Sequence, residues 1–177
     1  MRVIFLDVDG VLNSEDHAIY CHENPKFIEE GGSNWVDPYP VSYILQLINE
    51  MDLKLVISSS WRTWDLESTI EEFNRYKSLC KLTPYIVGIT PRNTDYYVRE
   101  DRGEEIQHYL DTHPEIENYC IIDDDNDMLD SQRDNFVRTN SIHGLTIYDC
   151  DKIREIFNRG KSNFRSRKIF DLTSSNS

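Results

Sequence analysis

The stretch Val3-Ile4-Phe5-Leu6-Asp7-Val8-Asp9-Gly10 decides the fold that the sequence predicts. Its first four residues form an uninterrupted apolar run, which is typical of a strand buried on both faces of a parallel sheet. Two aspartates and a glycine follow where that strand should end. Because open α/β sheets bind ligands beyond the carboxyl ends of their strands, this position is the first candidate for a functional site.

The rest of the chain alternates short apolar runs with patterns of helical periodicity. Further strands are predicted over 53–58, 85–88 and 119–122 and from 136 onward, and helices over 40–51, 65–79, 100–113 and 149–158. The segment 13–40 is predicted to be irregular, because it contains Asn24-Pro25, Gly31-Gly32 and Asp37-Pro38. Alternating strands and helices predict β-α-β units. We therefore expect an α/β protein, a Rossmann-like three-layer α/β/α sandwich with a mainly parallel five-stranded sheet.

Length and charge exclude several classes of protein. The 177 residues suit one domain, which we expect over 1–158, followed by a partly disordered tail over 159–177 that is first basic and then rich in Ser, Thr and Asn. The net charge of −13 excludes a stable, non-specific coat on nucleic acid, since such binding rests on neutralised phosphates. It also argues against an anionic membrane surface as a partner.

The compartment is indicated by the apolar runs and the cysteines. No apolar run approaches the roughly 20 residues that span a bilayer, and the start of the chain lacks the pattern of a signal peptide. The four cysteines are widely spaced and form no C-x-x-C pair. We therefore expect free thiols in a reducing cytoplasm and no membrane partner.

Three of the predicted strands end in residues suited to metal and phosphate. Asp7 and Asp9 follow the first strand, Ser58-Ser59-Ser60 follow the second, and Asp123-Asp124-Asp125, with Asp127 close behind, follow the fourth. Each group alone is common in loops and helix caps, but the joint pattern is far less expected by chance. Anions that converge need a cation, and a donor set made only of oxygen favours Mg²⁺.

These residues resemble the motifs of the haloacid dehalogenase-like (HAD) hydrolases. Residues 3–12 resemble the first motif, Leu55-Val56-Ile57-Ser58 the second, and Ile121-Ile122-Asp123-Asp124 the fourth. The third motif is a lone Lys or Arg near a helix start, for which Arg102 is the best match and Arg99 the alternative. The strings at 57–62, 137–140 and 144–146 look like a subgroup that includes HAD domains of bacterial and phage RNA-repair proteins.

The resemblance implies a role for each matched residue. Asp7 would be the nucleophile and form an aspartyl-phosphate, and Asp9 would protonate the leaving oxygen and then activate water. Ser58, with Ser59 beside it, and Arg102 would bind the phosphoryl group, while Gly10 would let the backbone turn sharply next to it.

The resemblance also implies the ligands of the metal. Mg²⁺ would be held by Asp7, the carbonyl of Asp9 and Asp124, with Asp123 as a supporting partner. An alternative spacing of the fourth motif would make Asp123 the direct ligand and give Asp127 the supporting role.

The gaps between the motifs are too short for a full cap domain, so we expect a minimal cap and an open site. The sequence thus predicts a Mg²⁺-dependent phosphatase, a phosphoric monoester hydrolase, acting on a phosphorylated substrate such as a nucleotide or a 3′ or 5′ nucleic-acid end. Two alternatives stay open: a non-catalytic module that binds phosphate or a partner, and a phosphotransferase. The lack of a closing cap weighs against the second, because such transfer must exclude water.

Overall fold

The computed structural model describes residues 1–29, 33, 35–92 and 101–159, and within them a five-stranded sheet forms the centre of the fold. Its strands are β1 (Arg2–Leu6), β2 (Lys54–Ile57), β3 (Ile86–Ile89), β4 (Asn118–Asp123) and β5 (Phe136–Arg138). They lie in the order β3-β2-β1-β4-β5, and every neighbouring pair is parallel. This arrangement confirms the predicted Rossmann-like α/β fold.

The helices are α1 (Glu15–Glu23), α2 (Pro25–Glu29), α3 (Pro38–Met51), α4 (Leu66–Asn74), α5 (Arg102–Thr112) and α6, which covers 147–159. Short 3₁₀ turns cover Leu79–Lys81, Thr83–Tyr85 and Asp130–Asn135. In the described part of the chain, none of these helices combines the length and the apolar character needed to cross a membrane.

The sheet is buried on both faces, as the apolar first strand predicts. Val3 and Phe5 of β1 join a core with α5, whereas Ile4 and Leu6 join the larger core with α3, α4 and α6. Successive side chains of a strand point to opposite faces, so one strand supplies both cores. The two cores correspond to the interfaces of a three-layer sandwich.

The prediction that 13–40 is irregular was wrong, since α1 and α2 lie within it. Only His17 and Cys21 of α1 are buried, so the helix has almost no apolar periodicity to reveal it. Its signal is a cap instead, because the Ser14 side chain accepts a hydrogen bond from the His17 N–H. Asn24 ends α1 and Pro25 opens α2, so the predicted break at these residues separates two helices.

The helix predicted over 65–79 is also shorter than expected. It ends at Asn74, and Leu79 reaches the core from a separate 3₁₀ turn. The four cysteines form no disulfide, as expected. Residues 160–177 of the predicted tail lie outside the described residues.

Candidate active site

The strand register brings the predicted motifs to one edge of the sheet. Leu6 pairs with Ile57 on one side and with Ile122 on the other. The next residue of each strand, namely Asp7, Ser58 and Asp123, therefore lies at the same level along the edge of the sheet. The Asp7 N–H donates to the carbonyl of Ile122 at 3.0 Å, so the pairing extends into the site.

Three carboxylates converge at this edge. Asp7, Asp123 and Asp124 each offer an oxygen, and these three oxygens lie within 4.8 Å of one another. Asp7 and Asp123 are buried, whereas Asp124 is half-buried. The structure thus brings together the three side chains that the sequence proposes as metal ligands or supporting residues.

Burial makes these negative charges costly. It raises the pKa of Asp7 to about 6, although the Ser59 hydroxyl and Arg102 act in the opposite direction. Burial and the charge of Asp7 raise the pKa of Asp123 to about 8. The pKa of Asp124 is raised as well, again first by burial. Such a cluster favours a bound cation over three separate anions.

Arg102 is the cation that faces this cluster. Its Nε lies 3.3 Å from Oδ2 of Asp123, and its Nη2 lies 4.0 Å from Oδ1 of Asp7. It opens α5, as the sequence predicts for the third motif. The alternative cation, Arg99, lies outside the described residues.

Asp127 lies away from the carboxylate cluster and holds the start of α5 instead. Its Oδ2 accepts a hydrogen bond of 3.0 Å from the Arg102 N–H, and its carbonyl accepts one of 3.2 Å from the Gly103 N–H. Free N–H groups at a helix start need such acceptors. Asp127 therefore contacts the backbone of the residue whose guanidinium faces Asp7, and its supporting role in the fourth motif stays a prediction.

The carboxylate of Asp9 is not one of the three clustered carboxylates, and it is held by three donors. Asn13 Nδ2 and Trp61 Nε1 donate to Oδ1 at 2.8 and 2.9 Å, and Ser60 Oγ donates to Oδ2 at 3.0 Å. Asp9 is exposed, so its carboxylate is open to a substrate. The predicted contribution of Asp9 to the metal site is its carbonyl, which this side-chain arrangement leaves unaffected.

Gly10 makes the turn that directly follows Asp9, and it lies against the side chain of Asp124. Its φ of +65° is favoured by glycine, and a Cβ built on it would lie 2.3 Å from Cγ of Asp124. Its N–H donates to Asn13 Oδ1 at 2.8 Å, and its carbonyl accepts a hydrogen bond of 2.8 Å from Thr139. A side chain at this position would therefore displace a carboxylate of the cluster.

The two buried serines after β2 have different hydrogen-bond partners. Ser58 and Ser59 are both buried, and the Ser58 hydroxyl accepts from the Thr90 hydroxyl at 3.3 Å. The Ser59 hydroxyl interacts with the carboxyl of Asp7 and also accepts a hydrogen bond from the backbone N–H of Trp61. Of the two proposed phosphate ligands, Ser59 is thus the one that the structure links to Asp7.

The sequence reasoning missed a buried ion pair that lies next to Arg102. Arg62 Nη2 lies 2.8 and 2.9 Å from the two carboxylate oxygens of Glu105, and Nη1 donates to Thr90. Glu105 Oε2 is also 3.6 Å from Nη1 of Arg102. Because Arg62 and Glu105 are 43 positions apart, no local pattern could have indicated the pair.

Other residues of the site also escaped the sequence reasoning, namely Asn13, Thr90, Arg92 and Thr139. A signal existed only for Asn13, which lies four positions after Asp9 within the turn of the first motif. Arg92 donates to the carbonyls of Ser60 and Arg62 at 2.7 and 2.6 Å and so closes the loop after β2.

The residues present fit a hard divalent cation. Their side-chain donors are oxygens only, which suits Mg²⁺. Oδ1 of Asp7 is buried and has no hydrogen-bond partner among the described residues. A buried polar atom of this kind calls for a partner, and a cation held by the cluster would be one.

Several cavities border the site, and two of them share Ser60 and Arg62 in their linings. One, of about 330 Å³, is lined by Ser60, Arg62, Arg92, Arg102, Glu105, Asp125 and Asp127. The other, of about 460 Å³, is lined by Trp35, Ser60, Trp61, Arg62, Thr63, Glu72 and Tyr76. The lining of the first cavity is thus rich in arginine, and that of the second is rich in aromatic rings.

Comparison with protein families matches residues 3–150 to the HAD domain in Swiss Army Knife RNA repair proteins. Comparisons with curated proteins and with solved structures give no match. The match covers most of the chain and contains every residue of the carboxylate cluster and Arg102. A HAD domain implies a hydrolase family of the phosphatase type. The chain therefore belongs to the family of HAD domains described in Swiss Army Knife RNA repair proteins.

Proposed function

We propose that the protein is a Mg²⁺-dependent phosphomonoesterase that works through an aspartyl-phosphate on Asp7. One observation carries this proposal: a buried carboxylate oxygen of Asp7 that has no hydrogen-bond partner among the described residues, beside two further carboxylates and facing Arg102. Asp7, Asp123, Asp124 and the carbonyl of Asp9 would hold the ion. When bound, Mg²⁺ would offset the negative charge that the carboxylates and the substrate phosphate bring together.

The side chains divide the reaction between them. A carboxylate oxygen of Asp7 attacks phosphorus, the bond to the leaving oxygen breaks, and Asp9 gives that oxygen a proton. Asp9 then takes a proton from a water molecule, which attacks phosphorus, releases phosphate and restores Asp7. Arg102, with Ser58 and Ser59 beside Asp7, would bind the phosphoryl oxygens in both steps.

The surroundings of the site support a nucleotide or a 3′ or 5′ nucleic-acid end as substrate. Trp35 is 60% exposed, and it lines the adjacent cavity together with Trp61 and Tyr76. Aromatic faces of this kind stack nucleobases without regard to sequence. Trp35 thus lies with Trp61 and Tyr76 on the wall that this proposal assigns to the substrate. The acidic surface disfavours tight binding along a strand, so the proposed contact is with a terminal phosphate.

The proposal is tested by hydrolysis of p-nitrophenyl phosphate with Mg²⁺, with EDTA, and with Asp7→Asn. We expect turnover that EDTA removes and Mg²⁺ restores, and none from Asp7→Asn. Asp130→Asn is the matched control, because that carboxylate is 92% exposed and lies outside the site. Full activity of Asp7→Asn would refute the role of Asp7. Binding of phosphorylated ligands without turnover would favour a non-catalytic module.

The substrate class requires a second screen. Nucleotides, 3′- and 5′-phosphorylated oligonucleotides, sugar phosphates and phosphopeptides are compared by released phosphate, with Asp7→Asn as the blank. We expect nucleotides or oligonucleotide ends to give the highest kcat/KM, and a preference for sugar phosphates would contradict this. Transfer of phosphate to an added alcohol in place of water would favour the phosphotransferase alternative.

The proposal extends to the whole described chain and to its compartment. We assign residues 1–158 to one catalytic domain, because both cores and the site draw on elements from β1 to α6. Four thiols without a disulfide are typical of a reducing compartment, which supports a cytoplasmic location.

A further inference from the structure

The three hydrogen bonds to Asp9 treat its two carboxylate oxygens differently. Oδ1 accepts from Asn13 Nδ2 and Trp61 Nε1, whereas Oδ2 accepts from Ser60 Oγ. A carboxylate oxygen has two lone pairs in the plane of the group, so Oδ1 is fully used. The contacts therefore distinguish a held oxygen from an open one.

Neither partner of Oδ1 can reverse its bond. An indole N–H only donates. The amide of Asn13 is fixed because its own Oδ1 accepts from the Gly10 N–H at 2.8 Å, which turns its NH₂ toward Asp9. A proton on Oδ1 of Asp9 would thus meet two donors and no acceptor.

Ser60 is a different kind of partner. A hydroxyl can donate to a carboxylate and can also accept from a carboxylic acid. Ser60 is exposed and lines both of these cavities, so its contact with Asp9 is open to a bound group. Oδ2 is therefore the oxygen that can carry a proton and exchange it with a bound group.

We propose that Asn13 and Trp61 are positioning residues that hold Oδ1 of Asp9 and present Oδ2 to the leaving oxygen of the substrate. This inference rests on the proposed phosphatase function. As the P–O bond breaks, its electron pair stays on the leaving oxygen and the proton of Oδ2 passes to that oxygen. The Ser60 hydroxyl turns from acceptor to donor, and Asp9 is left as a carboxylate with three donors.

The test is Trp61→Phe, which removes the indole N–H and keeps a smaller aromatic ring beside Tyr76. A basic alkoxide needs a proton to leave, whereas p-nitrophenolate does not. We therefore expect kcat/KM for glycerol 2-phosphate to fall about tenfold more than kcat/KM for p-nitrophenyl phosphate. This is a part of the roughly 10²- to 10⁴-fold rate increase that a general acid contributes. Trp64→Phe is the control, since Trp64 is 98% exposed, and it should leave both values unchanged.

Ser60 gives an independent variant in case Trp61→Phe does not fold. Ser60→Ala should show the same selective loss on the alkyl phosphate, and Ser60→Thr, which keeps a hydroxyl, should recover most of it. Equal losses on both substrates, or no loss, would overturn the positioning roles while leaving the phosphatase in place. Absence of turnover by the wild-type protein on both substrates would overturn the proposed function, and the positioning roles with it.

Discussion

Glu105→Ala should destabilise the protein strongly, because it leaves a buried arginine without its partner. Arg62 is 5% exposed and Glu105 is 8% exposed, and two contacts of 2.8 and 2.9 Å join them. Removing one partner of such a pair costs about 3–5 kcal/mol, since the remaining charge stays desolvated. Among the described residues, the guanidinium of Arg62 would then keep only its hydrogen bonds to Thr90.

The assay is urea unfolding followed by circular dichroism, with a thermal melt beside it. A domain of this size is stable by about 5–15 kcal/mol, so the expected loss is a large fraction of the total. It corresponds to a fall in Tm of about 10 °C. The control is Arg133→Ala, which breaks an exposed contact of 2.8 Å with Asp130 and should cost less than about 1 kcal/mol.

A double variant separates charge from packing. Arg62→Met combined with Glu105→Leu removes both charges and fills the space with apolar side chains, which often recovers the stability of a broken pair. We expect it to unfold at a higher urea concentration than Glu105→Ala. A loss below about 1 kcal/mol in Glu105→Ala would refute the reasoning, because it would show that Arg62 finds another partner or water at no cost.

Three further predictions concern the site and the thiols. Without a divalent ion, stability should fall as pH rises from 6 to 8, because the pKa of Asp123 is raised to about 8 in the folded protein and the unfolded chain binds fewer protons. Asp123→Asn should remove roughly 1 kcal/mol per pH unit of that slope in urea titrations, and an unchanged slope would contradict the pKa. Gly10→Ala should lower the free energy of unfolding by more than about 1 kcal/mol and weaken Mg²⁺ binding measured by calorimetry, since its Cβ would collide with Asp124. Stability and Mg²⁺ affinity equal to those of the wild type would contradict the close contact between Gly10 and Asp124. In the native protein one thiol, that of Cys80, should react rapidly with a thiol reagent, because the other three cysteines are buried; two or more fast thiols would contradict their burial.

The fold was predictable because its signals are local. An apolar run such as Val3–Leu6 indicates a buried strand wherever it lies, and the alternation of strands and helices indicates a parallel sheet. The helix α1 escaped prediction for the opposite reason, since most of its surface faces solvent and little apolar periodicity results. Burial patterns therefore revealed the core elements and not the peripheral helices.

The order of residues along the chain was enough to indicate a site for metal and phosphate at the ends of β1, β2 and β4, and the resemblance of these motifs to HAD hydrolases implied the phosphatase reaction. Asp7, Asp9, Asp123 and Asp124 directly follow apolar runs, and parallel strands bring their carboxyl ends to one edge. Only the tertiary structure decided which carboxylates meet. It groups Asp7 with Asp123 and Asp124 and turns Asp9 toward other partners.

The structure also decided what surrounds those carboxylates. Asp127 contacts the start of α5, Arg62 pairs with Glu105, and Trp61 reaches Asp9 across 52 positions of sequence. These contacts depend on distances and side-chain directions between separate elements, and a residue type at one position carries no information about them. The sequence by itself thus determined the strands and the types of reactive side chain at their ends. The packing of the loops determined which of these side chains form hydrogen bonds and ion pairs with one another.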